Sequence, residues 1–153
     1  MEVLIRRATS DDSPVIADLY SVLDALHVQA HPDRFAPSSR AAEEFDAQQD
    51  GRAIFVAQLG RGVVGFADLR LRPSPEHPVR KPRLTGVIDG LVVDPAARRR
   101  GIGRLLLQAS EEWLGEMDVE GVELNVYAFN DDAKRFYESC GYAPLLVRLV
   151  KAS

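Results

Sequence analysis

Apolar positions change rhythm several times along this chain, and each change predicts an element. EVLIRRA (residues 2–8) is a short apolar run of strand length. TSDDSPVIADLYSVLDAL then sets Ile16, Leu19, Tyr20 and Leu23 at helical spacing. Ser13 suits the N-cap of that helix and Pro14 its first position. HVQAHPDRFAPSS is broken at Pro32 and Pro37 and reads as a loop. RAAEEFDAQQ predicts a second, more polar helix with Glu43, Glu44 and Asp46 on a solvated face. RAIFVAQL and VVGFADLRLR have strand composition, and Gly60–Gly62 turns one into the other as a hairpin. PSPEHPVRKP, with Pro73, Pro75, Pro78 and Pro82, is a loop. RLTGVIDGLVVDP is a further strand, stopped at Asp94-Pro95.

Beyond it, Ile102, Leu105, Leu106, Ala109, Trp113 and Met117 fall on one face of a helix. VELNVYAF predicts a strand. NDDAKRFYESC predicts a short helix with Ala133, Phe136 and Cys140 inward, ended by Gly141. PLLVRLV predicts a last strand. The order is strand, two helices, three strands, helix, strand, helix, strand: one mixed α/β domain over residues 1–153.

Composition narrows the classes. At 153 residues the chain is one domain with room for a core, and 46% apolar with 27% charged residues is ordinary for a globular protein. No apolar run approaches the ~18 residues of a membrane span, and the N-terminal stretch lacks the apolar centre of a signal peptide. Cys140 stands alone, so no internal disulfide and no cysteine-based metal site is expected. A cytoplasmic protein is the expectation. A net charge of -4 argues against nucleic acid as a partner.

Against that acidic background RRRGIGRLL (residues 98–106) stands out. A strand, then arginines and glycines, then an amphipathic helix can bind an anion. The first N–H groups of a helix lack acceptors within it, its dipole adds partial positive charge, and glycine admits close approach. Arginines can add charge-assisted bonds at the rim. A Walker A loop needs Gly-Lys-Ser/Thr, but Arg104 and Leu105 follow Gly103; a dinucleotide fingerprint needs a third small residue where Leu106 stands.

LVVDPAARRRGIGRLLL, with Arg98, Gly101 and Gly103 at signature positions, resembles the start of the cofactor helix in the GCN5-related N-acetyltransferases. NDDAKRFYESCGY resembles that family's second mark, through Asn130, Phe136, Tyr137, Glu138, Gly141 and Tyr142. The element order matches the family's fold over essentially the whole chain: a mixed, mostly antiparallel sheet flanked by helices, with splayed central strands. The resemblance implies acetyl-CoA as cofactor. Backbone N–H groups from Arg99 through Arg100, Gly101, Ile102 and Gly103 to Arg104 would hold its pyrophosphate. The main chain of Leu91, Val92 and Val93 would pair with the pantetheine arm, and Asn130 would touch the cofactor. Family members are often dimers, so a homodimer is possible.

Acetyl transfer to an amine needs a base, a donor for the developing oxyanion and a proton or hydrogen bond for the leaving thiolate. Direct transfer in a ternary complex needs no nucleophilic side chain, and no triad is evident. By resemblance the Val93 N–H is the oxyanion donor and Tyr137 the general acid; as a plain reading, Tyr137 is a core aromatic. Asp89, nine residues before Arg98 where several members of that family carry an acidic residue, is by the same resemblance the first choice of base, and desolvation by Ile88, Leu91 and Val92 would suit that role. Asn125 stands where members acting on protein N-termini often carry Glu, and it cannot accept a proton at neutral pH. That favours a primary amine on a small molecule over a peptide; a CoA-binding module without catalysis is the rival. His27, His31 and Phe35, with Asp33 and Arg34, are candidate acceptor contacts. Cys140 reads as an inert thiol.

Overall fold

The structure is a computed structural model that describes residues 2–37, 40–41, 45–47 and 49–152. One five-stranded sheet runs β1 (Val3–Arg7), β2 (Arg52–Leu59), β3 (Gly62–Pro73), β4 (Leu84–Val93) and β5 (Val122–Leu124), with neighbours in space also neighbours in sequence. The first four strands pair antiparallel and β5 lies parallel to β4. The α-helices among the described residues are α1 (Ser13–Ala30), α2 (Ile102–Glu116) and α3 (Asp131–Ser139). Mixed α/β, mostly antiparallel, is the expected class.

Each face of the sheet carries its own core. Ile16, Leu19 and Tyr20 of α1 pack with Phe45, Ile54, Val56, Phe66 and Val92. On the other face Ile102, Leu106, Leu107 and Leu114 of α2 pack with Ala53, Ala57, Ala67, Leu69 and Ile88. Because both faces are covered, β2 and β3 read as apolar runs rather than as clean alternation.

A β-bulge at Asp89 reverses the phase of β4. Leu69 pairs with Ile88 and Asp68 with Gly90, leaving Asp89 without a partner opposite. Before it, Gly86 and Ile88 face α2: a Cβ on Gly86 would stand 2.7 Å from Leu114. After it, Gly90 and Val92 face α1, and a Cβ on Gly90 would stand 2.5 Å from the Tyr20 hydroxyl. Leu91 and Val93 are thereby turned to the α2 face.

Four expectations change. A 3-10 turn over Ser10–Asp12 precedes α1, so Asp12 and not Ser13 is its N-cap. The Asp12 carboxylate takes bonds from Arg6 at 2.8 and 3.0 Å and from the Thr9 N–H at 2.7 Å, while Ser13 Oγ donates to the Phe45 carbonyl. Of RAAEEFDAQQ, residues 42–44 (with Glu43 and Glu44) and 48 lie outside the described residues; Arg40, Ala41, Phe45 and Asp46 are not helical. VELNVYAF pairs only over Val122–Leu124. PLLVRLV forms no ladder at all and lies exposed, because strand composition states a preference and cannot supply a neighbour. No helix among the described residues is long and apolar enough to cross a membrane.

Candidate active site

The β4–β5 ladder covers only Gly86–Ile88 against Val122–Leu124. β4 then continues to Val93, still paired with β3 on its other side. Its last five residues therefore border an opening in the sheet that β5 does not fill. The Val92 side chain is buried in the α1 core, and Leu91 and Val93 are half-buried toward α2, so main chain is what these residues offer the opening.

β4 leads directly into the arginine loop. Asp94 caps a 3-10 turn over Pro95–Ala97 by accepting from the Ala96 N–H at 3.0 Å. Arg98 is extended, and its Nε donates to the Val93 carbonyl at 3.4 Å. Arg99 (φ 68°) and Gly101 (φ 75°) both take left-handed backbone. For Arg99 that conformation costs about 1–2 kcal/mol; Gly101 adopts it freely, and a Cβ there would meet nothing within 4 Å. No backbone N–H from Arg99 to Arg104 finds an acceptor among the described residues. These are the orphan donors of the α2 start, opening onto free space, and they suit a pyrophosphate. Ile102 is buried, so it too offers only its N–H.

Two residues of this stretch also join elements. Arg104 Nη2 donates to Ser139 Oγ at 2.8 Å, tying α2 to α3. Gly103 serves packing as well as access, since a Cβ on it would stand 3.3 Å from Phe136 Cζ and 3.9 Å from Leu91. β4, α2 and α3 converge at this one glycine.

On α3, Asn130 is the N-cap, its Oδ1 accepting from the Ala133 N–H at 3.2 Å. Tyr137 lies against Phe136 and Tyr142, with ring centroids 5.1 and 5.8 Å away. Its hydroxyl has no hydrogen bond among the described residues, and burial, aided by Cys140, pushes its pKa up to about 12. The phenol therefore keeps its proton far above neutral pH. Burial also raises Tyr142. Cys140 is half-buried, with Ser139 Oγ 3.8 Å from its sulfur.

Asp89 lacks the desolvation expected for it. The bulge turns it outward, its side chain is 38% exposed, and Arg70 holds it through Nε at 2.5 Å. A different, buried network lies behind it. Asp68 accepts from Arg52 at 2.8 and 2.7 Å and from the Tyr20 hydroxyl at 3.0 Å, and both Asp68 and Arg52 are almost fully buried. Tyr20 stacks on Phe45, and burial followed by the Asp68 charge raises its pKa strongly. Nothing in the sequence marked these three residues as partners, since they come from separate elements.

His27, His31 and Phe35 do come together, and two residues not singled out in the sequence join them. Tyr127 and Phe129 lie beyond β5. His27 is 5.1 Å from both Phe35 and Tyr127, His31 is 5.3 Å from Phe129, and Tyr127 is 5.3 Å from Phe35. The cluster bridges α1 to the segment after β5. Burial lowers the pKa of His27, which favours the neutral imidazole. Ring surfaces thus lie between α1 and the segment after β5, while Tyr137 packs on the core of the α2 face with Leu91 and Val93.

Comparison with known proteins agrees with this geometry. The model of the acetyltransferase (GNAT) family matches residues 16–142. A mycothiol acetyltransferase from Sanguibacter keddieii is 30% identical over 89% of the chain, which spans 41% of that protein's length. An uncharacterized N-acetyltransferase, YhfO of Bacillus subtilis, is 25% identical over 90% of the chain and 88% of its own. The crystal structure of a variant BH1408 protein from Bacillus halodurans superposes with a TM-score of 0.93 at 30% identity, covering 98% of this chain and 99% of that one. An aminoglycoside N-acetyltransferase solved with CoA shares the fold, at a TM-score of 0.75 and 20% identity over 99% of this chain and 95% of its own. The stretch matched by the family model runs from α1 past α3 and takes in every element that borders the opening: the chain belongs to the GNAT family of N-acetyltransferases.

Proposed function

We propose that this enzyme transfers an acetyl group from acetyl-CoA to a primary amine of a small molecule, by direct transfer in a ternary complex. The observation that carries the reading is the strand end: β4 runs five residues beyond its ladder with β5 and delivers its main chain to the unpaired N–H groups of the α2 start. Acetyl-CoA, when bound, supplies an activated thioester. The N–H groups of residues 99–104 would hold its pyrophosphate, with Arg98, Arg99 and Arg100 beside them. Leu91–Val93 would hold its arm through main chain, and Asn130 would add a contact through its amide.

The remaining work falls to three groups. The Val93 N–H donates to the carbonyl oxygen as negative charge grows there. Tyr137 Oη, still protonated at neutral pH, supplies a proton to the departing sulfur. Asp89 accepts the amine proton, directly or through water, and Arg70 fixes its position. The acceptor would rest against His27, His31 and Phe35, with Tyr127 and Phe129 completing that wall. Relatives named for mycothiol and aminoglycosides support a small-molecule acceptor.

Thermal shift and thiol release test this together. Stabilisation by acetyl-CoA and CoA but not by an oligonucleotide, with thiol released when small primary amines are added, is the expected result. Absence of stabilisation by either coenzyme overturns the cofactor assignment. Stabilisation with no thiol release from any amine leaves a binding module, and release only with peptides moves the acceptor to protein.

A further inference from the structure

The rings of His27, His31, Phe35, Tyr127 and Phe129 are arranged, not merely gathered. Two of the contacts are stacked: His27 lies on Phe35 and Tyr127 on Phe129, each with 29° between the planes. The two pairs then meet nearly at right angles. Phe35 stands at 79° to Tyr127, and His27 at 83° to Phe129. The result is a corner with two ring-lined walls. None of the five rings is fully buried, and Tyr127 is 42% exposed, so ring surface is left uncovered.

Such a corner fits a flat aromatic ring. Aromatic pairs prefer offset stacking or an edge-to-face approach, and a ring seated here can stack on one wall while it meets the other edge-on. A hydroxyl-covered sugar ring gains neither contact. The charges nearby point the same way. Asp24, the carboxylate that acts on His27, is engaged by the Arg40 guanidinium at 2.8 and 3.1 Å. Burial lowers the His27 pKa, which favours a neutral ring in the wall.

α1 sets the reach. Tyr20 and His27 are seven residues apart, and two turns place them on one face of the helix about 10 Å apart. The Tyr20 hydroxyl lies against Gly90, where a Cβ would stand 2.5 Å from it, so Tyr20 marks the level of Asp89 and Gly90. A ligand ring beside His27 takes up about 5 Å of that span. A link of about two or three carbons covers the rest.

We propose that the acceptor is an arylalkylamine: a flat ring seated in this corner, joined by a short alkyl link to a primary amine that reaches Asp89. The proposal rests on the acetyl-transfer reading above and adds the class of acceptor to it. It sets this chain apart from the aminoglycoside enzyme that shares its fold.

Binding and turnover with three matched amines test this. 2-Phenylethylamine and 2-cyclohexylethylamine have the same reach and differ in the π-system; glucosamine is the sugar control. In calorimetric titrations of the CoA complex, phenylethylamine should bind about five- to tenfold more tightly than the cyclohexyl analogue, and glucosamine more weakly than either. Thiol release from acetyl-CoA should rank kcat/KM in the same order. Tyr127→Leu keeps an apolar side chain and removes the ring. It should lower kcat/KM for phenylethylamine about tenfold and for the cyclohexyl amine far less, whereas a merely structural role would lower both alike. Equal values for the phenyl and cyclohexyl amines, or a higher one for glucosamine, overturn the arylalkylamine class and leave acetyl transfer standing. Tight binding of phenylethylamine with no thiol released keeps the ring site and overturns the reading of the reaction. No binding of phenylethylamine to the CoA complex overturns the proposal.

Discussion

Gly103 of α2 faces the ring of Phe136 on α3 so closely that a Cβ would stand 3.3 Å from Cζ. Gly101, two residues earlier, faces open space but needs its left-handed backbone. The two glycines should fail differently. Gly101→Ala should lower stability by about 1–2 kcal/mol, a fall of roughly 2–8 °C in Tm, with kcat little changed. Gly103→Ala should displace Phe136 and its neighbour Tyr137 and lower kcat. Gly101→Asp should abolish CoA binding, because it sets a carboxylate among the N–H donors. Calorimetric titration with CoA and steady-state kinetics separate the three.

Tyr137→Phe should lower kcat by about 10²-fold while CoA affinity persists; unchanged turnover would remove Tyr137 from the mechanism. Its pKa also carries a stability prediction. In the folded chain Tyr137 keeps its proton to about pH 12, whereas an unfolded tyrosine loses it near pH 10. The unfolded state then binds fewer protons, so stability falls as pH rises from about 10 to 12. Tm measured across that range should fall less steeply in the Phe variant.

Asp89 and Arg70 form an exposed pair whose loss should cost under about 1 kcal/mol of stability. Asp89→Asn should therefore leave Tm near wild type and cut kcat/KM by about 10²-fold. Arg70→Ala should keep the fold and lower kcat/KM less than Asp89→Asn does, since it removes the partner that holds the carboxylate in place and leaves the carboxylate itself. A wild-type rate in Asp89→Asn would transfer the base role elsewhere.

Asp68→Ala should be far more damaging. It removes the carboxylate that accepts two hydrogen bonds from the buried Arg52 and one from the Tyr20 hydroxyl, a loss on the order of 3–5 kcal/mol. Chemical denaturation of Asp68→Ala against Tyr20→Phe, which removes a single bond worth about 1 kcal/mol, measures the difference.

Phe35→Ala and Tyr127→Ala should raise KM for the acceptor about tenfold without changing CoA affinity. Equal acceptor KM in both variants would show that the ring cluster is only structural.

The elements with many internal signals were legible in the sequence. α2 shows its apolar stripe and α3 its Asn130 start, and the hairpin of β2 and β3 shows its glycine turn. Partners were not legible. PLLVRLV looks like a strand whether or not a neighbour exists, and VELNVYAF does not disclose that its ladder stops at Leu124. The arginine loop could be read because its signal lies in consecutive residues. The Tyr20–Asp68–Arg52 network could not, because its members are 16 and 48 residues apart. The exposure of Asp89 depends on a register that apolar neighbours along the chain do not reveal.

The extra residue in β4 acts as a parity switch. Every side chain from Gly90 onward points where it does because residue 89 has no partner across the ladder. Loss of that single codon would set Ile88 and Gly90 side by side opposite Leu69 and Asp68, in plain alternation. Leu91 and Val93 would stay toward α2, Val92 toward α1, and Gly90 would still make room for Tyr20. The ladder can thus shed this residue and keep its two faces, and what goes with it is the outward carboxylate; related sequences that retain the fold should differ in whether anything stands here as well as in what stands here.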